Sequence, residues 1–166
     1  MAKLKVAVIG LRMGAAWATA AHTQPNTTLS LVYDKFYAEN DRINKSFFAD
    51  NQIPVAKSEE EVYASDADIV VVASPDHFHC EQSIKALRAG KHVACEKPLA
   101  SNLDECRQII AAVKESGKFF MTGQVCRYAP GFALAKHLLS EGRIGELVYL
   151  ESEYAHDYTT AQGFQN

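Results

Sequence analysis

Glu96-Lys97-Pro98 is the tripeptide of this chain whose chemistry is easiest to name. A lysine beside a bound alcohol can hydrogen-bond the hydroxyl, lower its pKa and relay the proton lost on oxidation. Lys97 follows a short apolar segment, His92-Val93-Ala94-Cys95, which comes after a helix closed by Gly90. That order puts the lysine at the carboxyl end of a strand, in the crevice where open α/β sheets bind ligands. Pro98 holds Lys97 in an extended backbone and so fixes its direction. Glu96 is placed to orient it. The alternative is a solvated surface lysine, which has no need of a buried strand before it or a proline after it.

A second constellation lies near the N-terminus. Leu4 to Ile9 is a β-rich apolar run, and Gly10-Leu11-Arg12-Met13-Gly14 turns it into a helix reaching about His22. The turn approximates the G-x-G-x-x-G dinucleotide fingerprint and departs from it. Either one residue is missing, or Arg12 stands for the second glycine and Ala15 for the third. A shortened turn still aims a helix N-terminus at phosphate, and Arg12 can add a charge-assisted hydrogen bond. Leu11 and Met13 lie in the same turn and count as cofactor neighbours. Asp34 closes the second strand about 20 residues after Gly14, where an acid would take the adenosine ribose diol. An acid there favours NAD because it repels a 2′-phosphate. Lys35 follows at once and would neutralise that repulsion, so NADP stays open. Asp34 as a helix N-cap is the plainer reading, compatible with the first.

These groups need a scaffold, and the pattern supplies one. Strands are expected at Leu4–Ile9, Leu29–Tyr33, weakly at Val55-Ala56, at Ile69–Ala73, His92–Cys95 and Lys118–Thr122, with helices between them. The second helix carries Ile43 and Phe47 on one face. Ser58-Glu59-Glu60-Glu61 reads as a capping box. Ser74-Pro75 reads as N-cap and first residue of a helix carrying Cys80, Ile84 and Leu87. Ser101 to Asp104 caps another, with a stripe of Leu103, Cys106, Ile110 and Val113. Repeated strand–helix alternation implies a doubly wound parallel sheet, an α/β Rossmann domain over residues 1–123. From residue 124 the pattern changes. Pro130 to Glu141 reads as a helix and Leu147 to Tyr154 as a longer strand with one wet face, the start of a second, mostly antiparallel α+β domain over residues 124–166. Thr159 to Asn166 shows no element.

Composition narrows the class. With 48% apolar and 22% charged residues the chain has the soluble globular balance. A net charge of −3 with no basic stripe excludes nucleic acid as the expected partner. No apolar run is long enough to span a bilayer. Cys80, Cys95, Cys106 and Cys126 show no C-x-x-C or metal spacing and read as reduced, mostly buried thiols of a cytoplasmic protein. His77 and His79, two apart, make a poor metal pair, and no metal is expected.

Taken together, Ala73-Ser74-Pro75-Asp76-His77-Phe78-His79, Ala89-Gly90-Lys91-His92-Val93, Glu96-Lys97-Pro98-Leu99-Ala100 and Gly123-Gln124-Val125-Cys126-Arg127-Tyr128-Ala129-Pro130 resemble, in order and spacing, the glucose–fructose oxidoreductase / inositol dehydrogenase / rhizopine-catabolism (Gfo/Idh/MocA) oxidoreductases. The resemblance runs to about Tyr154. It implies a nicotinamide-dependent oxidoreductase acting on a sugar or cyclic polyol. It also implies that Lys97 touches nicotinamide and substrate across an often cis bond to Pro98, and that Ser74, Pro75, His79, Glu96 and Arg127 line the cofactor cleft. A packing or helix-end role is the alternative for His79, a salt bridge for Arg127 and packing for Tyr128. Members of the family are about twice this length, with a second domain that walls the substrate and forms a dimer surface. The chain is therefore expected to be an inactive N-terminal portion of a protein that is a homo-oligomer, dimer or tetramer, when full length. A non-catalytic dinucleotide-binding or sensor protein on the same fold is the alternative function.

Overall fold

β1 (Leu4–Ile9) is buried from Val6 onward, with Val6 and Val8 facing one side of the sheet and Ala7 and Ile9 the other. β3 (Ile69–Val72) and β4 (His92–Cys95) repeat this: Val71 and Ala94 join Val6 and Val8, while Val70, Val72, Val93 and Cys95 join Ala7 and Ile9. Strands apolar on both faces are what a parallel sheet covered by helices on both sides requires. The computed structural model describes residues 2–153 and 155, and within them the sheet has five parallel strands in the order β2-β1-β3-β4-β5. β2 is Thr27–Tyr33 and β5 is Phe120–Thr122. This is the doubly wound α/β architecture the sequence predicts.

Helices make the crossovers. α1 (Gly14–Thr23) and α2 (Lys45–Asp50) lend Ala18, Ala21 and Phe48 to the Val6–Val8 side. α3 (Glu59–Ala64), α4 (His79–Arg88) and α5 (Leu103–Ser116) lend Val62, Ala86, Leu87 and Ala112 to the other. Order reverses between β1 and β3, because β1 leads out to β2 on one side and the chain returns to β3 on the other. The crevice at that switch point is where such sheets take ligands.

Several local expectations shift. The weak strand at Val55-Ala56 is a single parallel bridge, Val32 to Val55, beside β2. Ile43 is buried but precedes α2, whose cap is Asn44. Ser74-Pro75 does not cap α4. A 3-10 turn, Asp76–Phe78, intervenes and α4 begins only at His79. The Ser74 hydroxyl is instead drawn to Gln82, a bond that competes with capping. On α5 the buried residues are Ile109 and Ala112, while Leu103 is 73% and Ile110 51% exposed. Both stripes have helical spacing, and one residue of phase turns the face by about 100°. Cys80 and Cys95 are buried, Cys106 is intermediate and Cys126 exposed.

The chain divides into two compact units, Met1–Gln124 and Val125–Asn166. Within the second, a 3-10 turn, Val125–Tyr128, leads to α6 (Pro130–Ser140), which starts on a proline. The strand expected from Leu147 does not form: residues 147–153 carry no strand, and Val148 is 93% exposed. A strand needs a ladder partner, and none is beside these residues among those described. Tyr154 and the stretch from Thr159 to Asn166 lie outside the described residues.

Candidate functional site

Register brings the site together. Tyr33 is opposite Ile9, Ile9 opposite Val72, Val72 opposite Cys95, and Cys95 opposite Thr122. The residues that follow, Asp34, Gly10, Ala73-Ser74, Glu96-Lys97 and Gly123, therefore form one row along the carboxyl edge. Four strands at about 4.8 Å spacing make the distance from Asp34 to Glu96 about 14 Å.

At one end is the glycine turn. Gly10 has φ +86°, and a Cβ there would lie 2.5 Å from Ser74 N and 2.6 Å from the Ala73 carbonyl carbon. Backbone against backbone cannot yield, so the position admits only glycine. A Cβ at Gly14 would meet Val8 Cγ1 at 2.8 Å and Ala73 Cβ at 3.1 Å, so the missing side chain seats α1 on the sheet. The two glycines thus serve the turn and the helix–strand contact. Arg12 stands exposed where the fingerprint's middle glycine is absent, beside an exposed Met13. Met13, the α1 N-cap residue, makes no side-chain cap bond, and the first turn holds no acid. Its N–H groups and the positive end of the helix are left for an anion.

Leu11 contributes backbone only. Its side chain is fully buried, and its N–H donates to Asp34 Oδ2 at 2.7 Å. Asp34 Oδ1 accepts the Phe36 N–H at 2.9 Å. No helix starts here; Asp34 heads a turn, with the Tyr37 N–H donating to its carbonyl, so its capping role is that of an Asx turn. Asp34 itself is half-buried. The Lys35 ammonium lies 5.7 Å over the Phe36 ring.

At the other end, the Glu96 N–H extends the ladder to the Val72 carbonyl. The residue is 8% exposed. Oε1 accepts the Trp17 indole N–H at 2.7 Å, and Oε2 accepts the Lys97 backbone N–H at 3.1 Å. Glu96 therefore orients Lys97 through the backbone and not through an ion pair with its ammonium. A Cβ at Gly123 would lie 3.4 Å from Glu96 Cδ and from Trp17 Cζ2, so Gly123 closes over this pair. The Lys97–Pro98 bond is cis. Lys97 is exposed, and among the described residues its ammonium has no hydrogen-bonding or ionic partner.

His79 joins the two halves. The ring is fully buried, with Nδ1 2.7 Å from the Pro98 carbonyl and Nε2 2.9 Å from the Ser74 carbonyl. It ties the loop after β3 to the turn after Lys97 and spends both nitrogens inside the protein. Pro75 is exposed and Ser74 half-buried above it. His77 packs on Phe78 with ring centroids 4.0 Å apart, and no group of three or more His, Cys, Asp or Glu among the described residues is arranged to hold a metal. Burial pushes the Cys95 thiol up to about 12, so it is no nucleophile. Arg127 is exposed in the second unit, in the turn Val125–Tyr128. Trp17 escapes a sequence reading: the sole tryptophan, one turn inside a helix, reads as core, and nothing marks Glu96 as its acceptor.

A parallel sheet whose switch-point edge carries a glycine turn, an open helix N-terminus and an acid after β2 defines a dinucleotide-binding α/β domain. The family model for the oxidoreductase family with an NAD-binding Rossmann fold, GFO_IDH_MocA, matches residues 4–124, and the chain belongs to that family. An uncharacterized oxidoreductase of Streptococcus pneumoniae is 34% identical over 148 residues, 88% of this chain and 39% of its own. The 1,5-anhydro-D-fructose reductase of Ensifer adhaerens is 35% identical over 133 residues, 80% of this chain and 38% of its own. The structure of GenD2 from gentamicin A biosynthesis, in complex with NAD, matches with a TM-score of 0.77 at 30% identity, over 86% of this chain and 40% of that one. The chain thus spans about two-fifths of these proteins' lengths. No helix among the described residues is long and apolar enough to cross a membrane.

Proposed function

We propose that this protein is a NAD-dependent oxidoreductase that moves hydride between the nicotinamide and an alcohol or keto carbon of a sugar or cyclic polyol. In this reading residues 1–123 hold the dinucleotide and those from 124 onward belong to the substrate side. The pyrophosphate lies on the α1 N-terminus, against the Gly10–Gly14 turn and Arg12. Asp34 would take the adenosine ribose diol, and Ser74, Pro75, Glu96 and Lys97 would line the nicotinamide half. Bound NAD would supply the carbon that accepts hydride. Lys97 Nζ would hydrogen-bond the hydroxyl and relay its proton to solvent as the carbon is oxidised, giving up one proton as it takes another, with the order reversed in the reduction.

The observation that carries this reading is the place of Lys97 at the carboxyl edge of the sheet, its backbone N–H held by the buried Glu96 carboxylate and its ammonium without a partner among the described residues. A solvated surface lysine has no need of a backbone fixed by a buried carboxylate and a following proline, and a nucleotide sensor would need neither group. Asp34 and the placing of Lys35 over Phe36 favour NAD over NADP. The name of the Ensifer relative supports a cyclic polyhydroxy substrate. The test is NAD reduction by a panel of sugars and cyclic polyols with this protein. One or more must turn over, and Lys97→Ala must abolish that turnover while NADH still binds. Turnover that survives Lys97→Ala would overturn the assignment.

A further inference from the structure

We infer that Gln82, oriented by Glu59, is a positioning residue that fixes the Ser74 hydroxyl as a hydrogen-bond acceptor for the nicotinamide nucleoside. The inference rests on the cofactor reading above. Its starting point is a chain of polar groups running back from the site loop. The Ser74 hydroxyl lies 2.5 Å from Gln82 Oε1, Gln82 Nε2 lies 2.7 Å from Glu59 Oε1, and the Tyr63 hydroxyl lies 3.0 Å from Glu59 Oε2. Gln82 is 3% exposed, so water does not compete for its amide.

The direction of every bond follows from Glu59. An ionised carboxylate only accepts. Gln82 must therefore turn its NH₂ toward Glu59, which leaves its carbonyl oxygen facing Ser74. A carbonyl only accepts as well, so the Ser74 hydroxyl donates to Gln82. Tyr63 donates to the other Glu59 oxygen, and burial together with Glu59 raises the Tyr63 pKa, which keeps that phenol a donor. The one hydroxyl proton of Ser74 is thus spent inward. What it has left for the crevice is lone pairs.

An acceptor selects its ligand. Phosphate oxygens carry no proton at neutral pH and cannot bond to it, so this hydroxyl is no part of the pyrophosphate cradle. A ribose hydroxyl or the nicotinamide carboxamide N–H₂ can donate to it. The topology says which half of the dinucleotide is in reach: Ser74 follows β3, on the opposite side of β1 from Asp34, so it faces the nucleoside that Asp34 does not hold. The same helix grips Ser74 twice, because His79, one turn before Gln82, bonds its carbonyl. The loop position and the hydroxyl direction are set from one rigid element.

Calorimetric titration with NADH, ADP-ribose and ADP separates the outcomes. ADP ends before the second nucleoside and serves as the control for folding. Ser74→Ala and Gln82→Ala should each weaken NADH binding about fivefold, the scale of one hydrogen bond, and leave ADP unchanged. The double variant should be no weaker than Ser74→Ala, since Gln82 acts through that hydroxyl. Glu59→Gln, which lets the amide turn over, should weaken NADH in the same sense by a smaller factor, and it carries the test should Gln82→Ala fail to fold. A loss shared by ADP-ribose assigns the donor as ribose hydroxyl; a loss confined to NADH assigns it as the carboxamide. Equal losses for ADP, additive losses in the double variant, or no loss for NADH would overturn the inference. Failure of the unaltered chain to bind any of the three would instead refute the cofactor reading on which it stands.

Discussion

Asp34 is the residue at which cofactor choice and local structure meet, and its removal gives the sharpest number. In Asp34→Ala two backbone donors lose their acceptor, the Leu11 N–H at 2.7 Å and the Phe36 N–H at 2.9 Å. One bond is part-buried and the other exposed, so solvent screening holds them to about 1 kcal/mol each, the ordinary net value, and together they are worth about 2 kcal/mol. Thermal unfolding of a domain this size should fall by about 4–8 °C. That loosening of the turn weakens every dinucleotide alike and is no test of cofactor choice. The ratio of NADH to NADPH affinity cancels it. NADH loses the ribose hydrogen bond, about 1.4 kcal/mol or tenfold. NADPH gains relief from repulsion between carboxylate and 2′-phosphate, which at an exposed crevice is also about 1.4 kcal/mol. The preference for NADH should therefore drop about 100-fold, measured by calorimetric titration of both cofactors. A preference unchanged while the melting temperature falls would show that Asp34 serves the turn alone, and the assignment of the ribose to it would be wrong.

Other outcomes follow from the same geometry. If the proposed activity holds, Lys97→Ala should lower turnover about 100-fold or more, with a much smaller change in NADH affinity, as read from single-turnover and binding measurements. Gly10→Ala forces a Cβ to 2.5 Å from the Ser74 backbone at φ +86° and should cost upward of about 2 kcal/mol; denaturant unfolding that matches the parent would refute the contact. Trp17→Phe leaves a buried Glu96 oxygen without its donor and should cost about 1–3 kcal/mol in the same measurement. Cys95 has its thiol pushed up to about 12 by burial, so the folded state keeps a proton that the unfolded state gives up. Stability should then fall as pH rises from the ordinary thiol range toward that value, and alkylation at neutral pH should mark exposed Cys126 well before Cys95. Equal labelling rates would contradict the burial.

Much of this was legible in the residues. The apolar runs at Leu4–Ile9 and Ile69–Ala73 read as strands, the second typical of a central parallel one, and Gly10, Asp34 and Lys97 stand at the ends of such runs. What a linear reading lacks is direction. It names Glu96 as a partner for Lys97 but cannot see that Trp17 takes the carboxylate, because that contact joins residues 79 apart. The resemblance alone brings His79 to the cleft, and only the structure shows that both its ring nitrogens turn inward to carbonyls. A linear reading takes Ser74-Pro75 as a cap, since a serine before a proline satisfies that pattern whether its hydroxyl bonds a neighbouring N–H or a distant glutamine. The phase of α5 fails for a simpler reason: Leu103 and Ile110 are as apolar as Ile109, and only the sheet decides which of them it covers. Residues 147–153 fail because strand formation is a property of a pair.

Trp17 has one more consequence. It is the only tryptophan of the chain, it is half-buried, and its indole N–H is held by Glu96 one residue from Lys97. All tryptophan emission therefore comes from one ring, next to a carboxylate, on the helix whose N-terminus is open to phosphate. Reduced nicotinamide absorbs where indole emits, so NADH seated along this edge should quench that light by energy transfer, and oxidised NAD should quench it far less. If the proposed cofactor placement holds, this single ring would report the redox state of a nicotinamide bound beside Lys97, and no dye need be attached to read it.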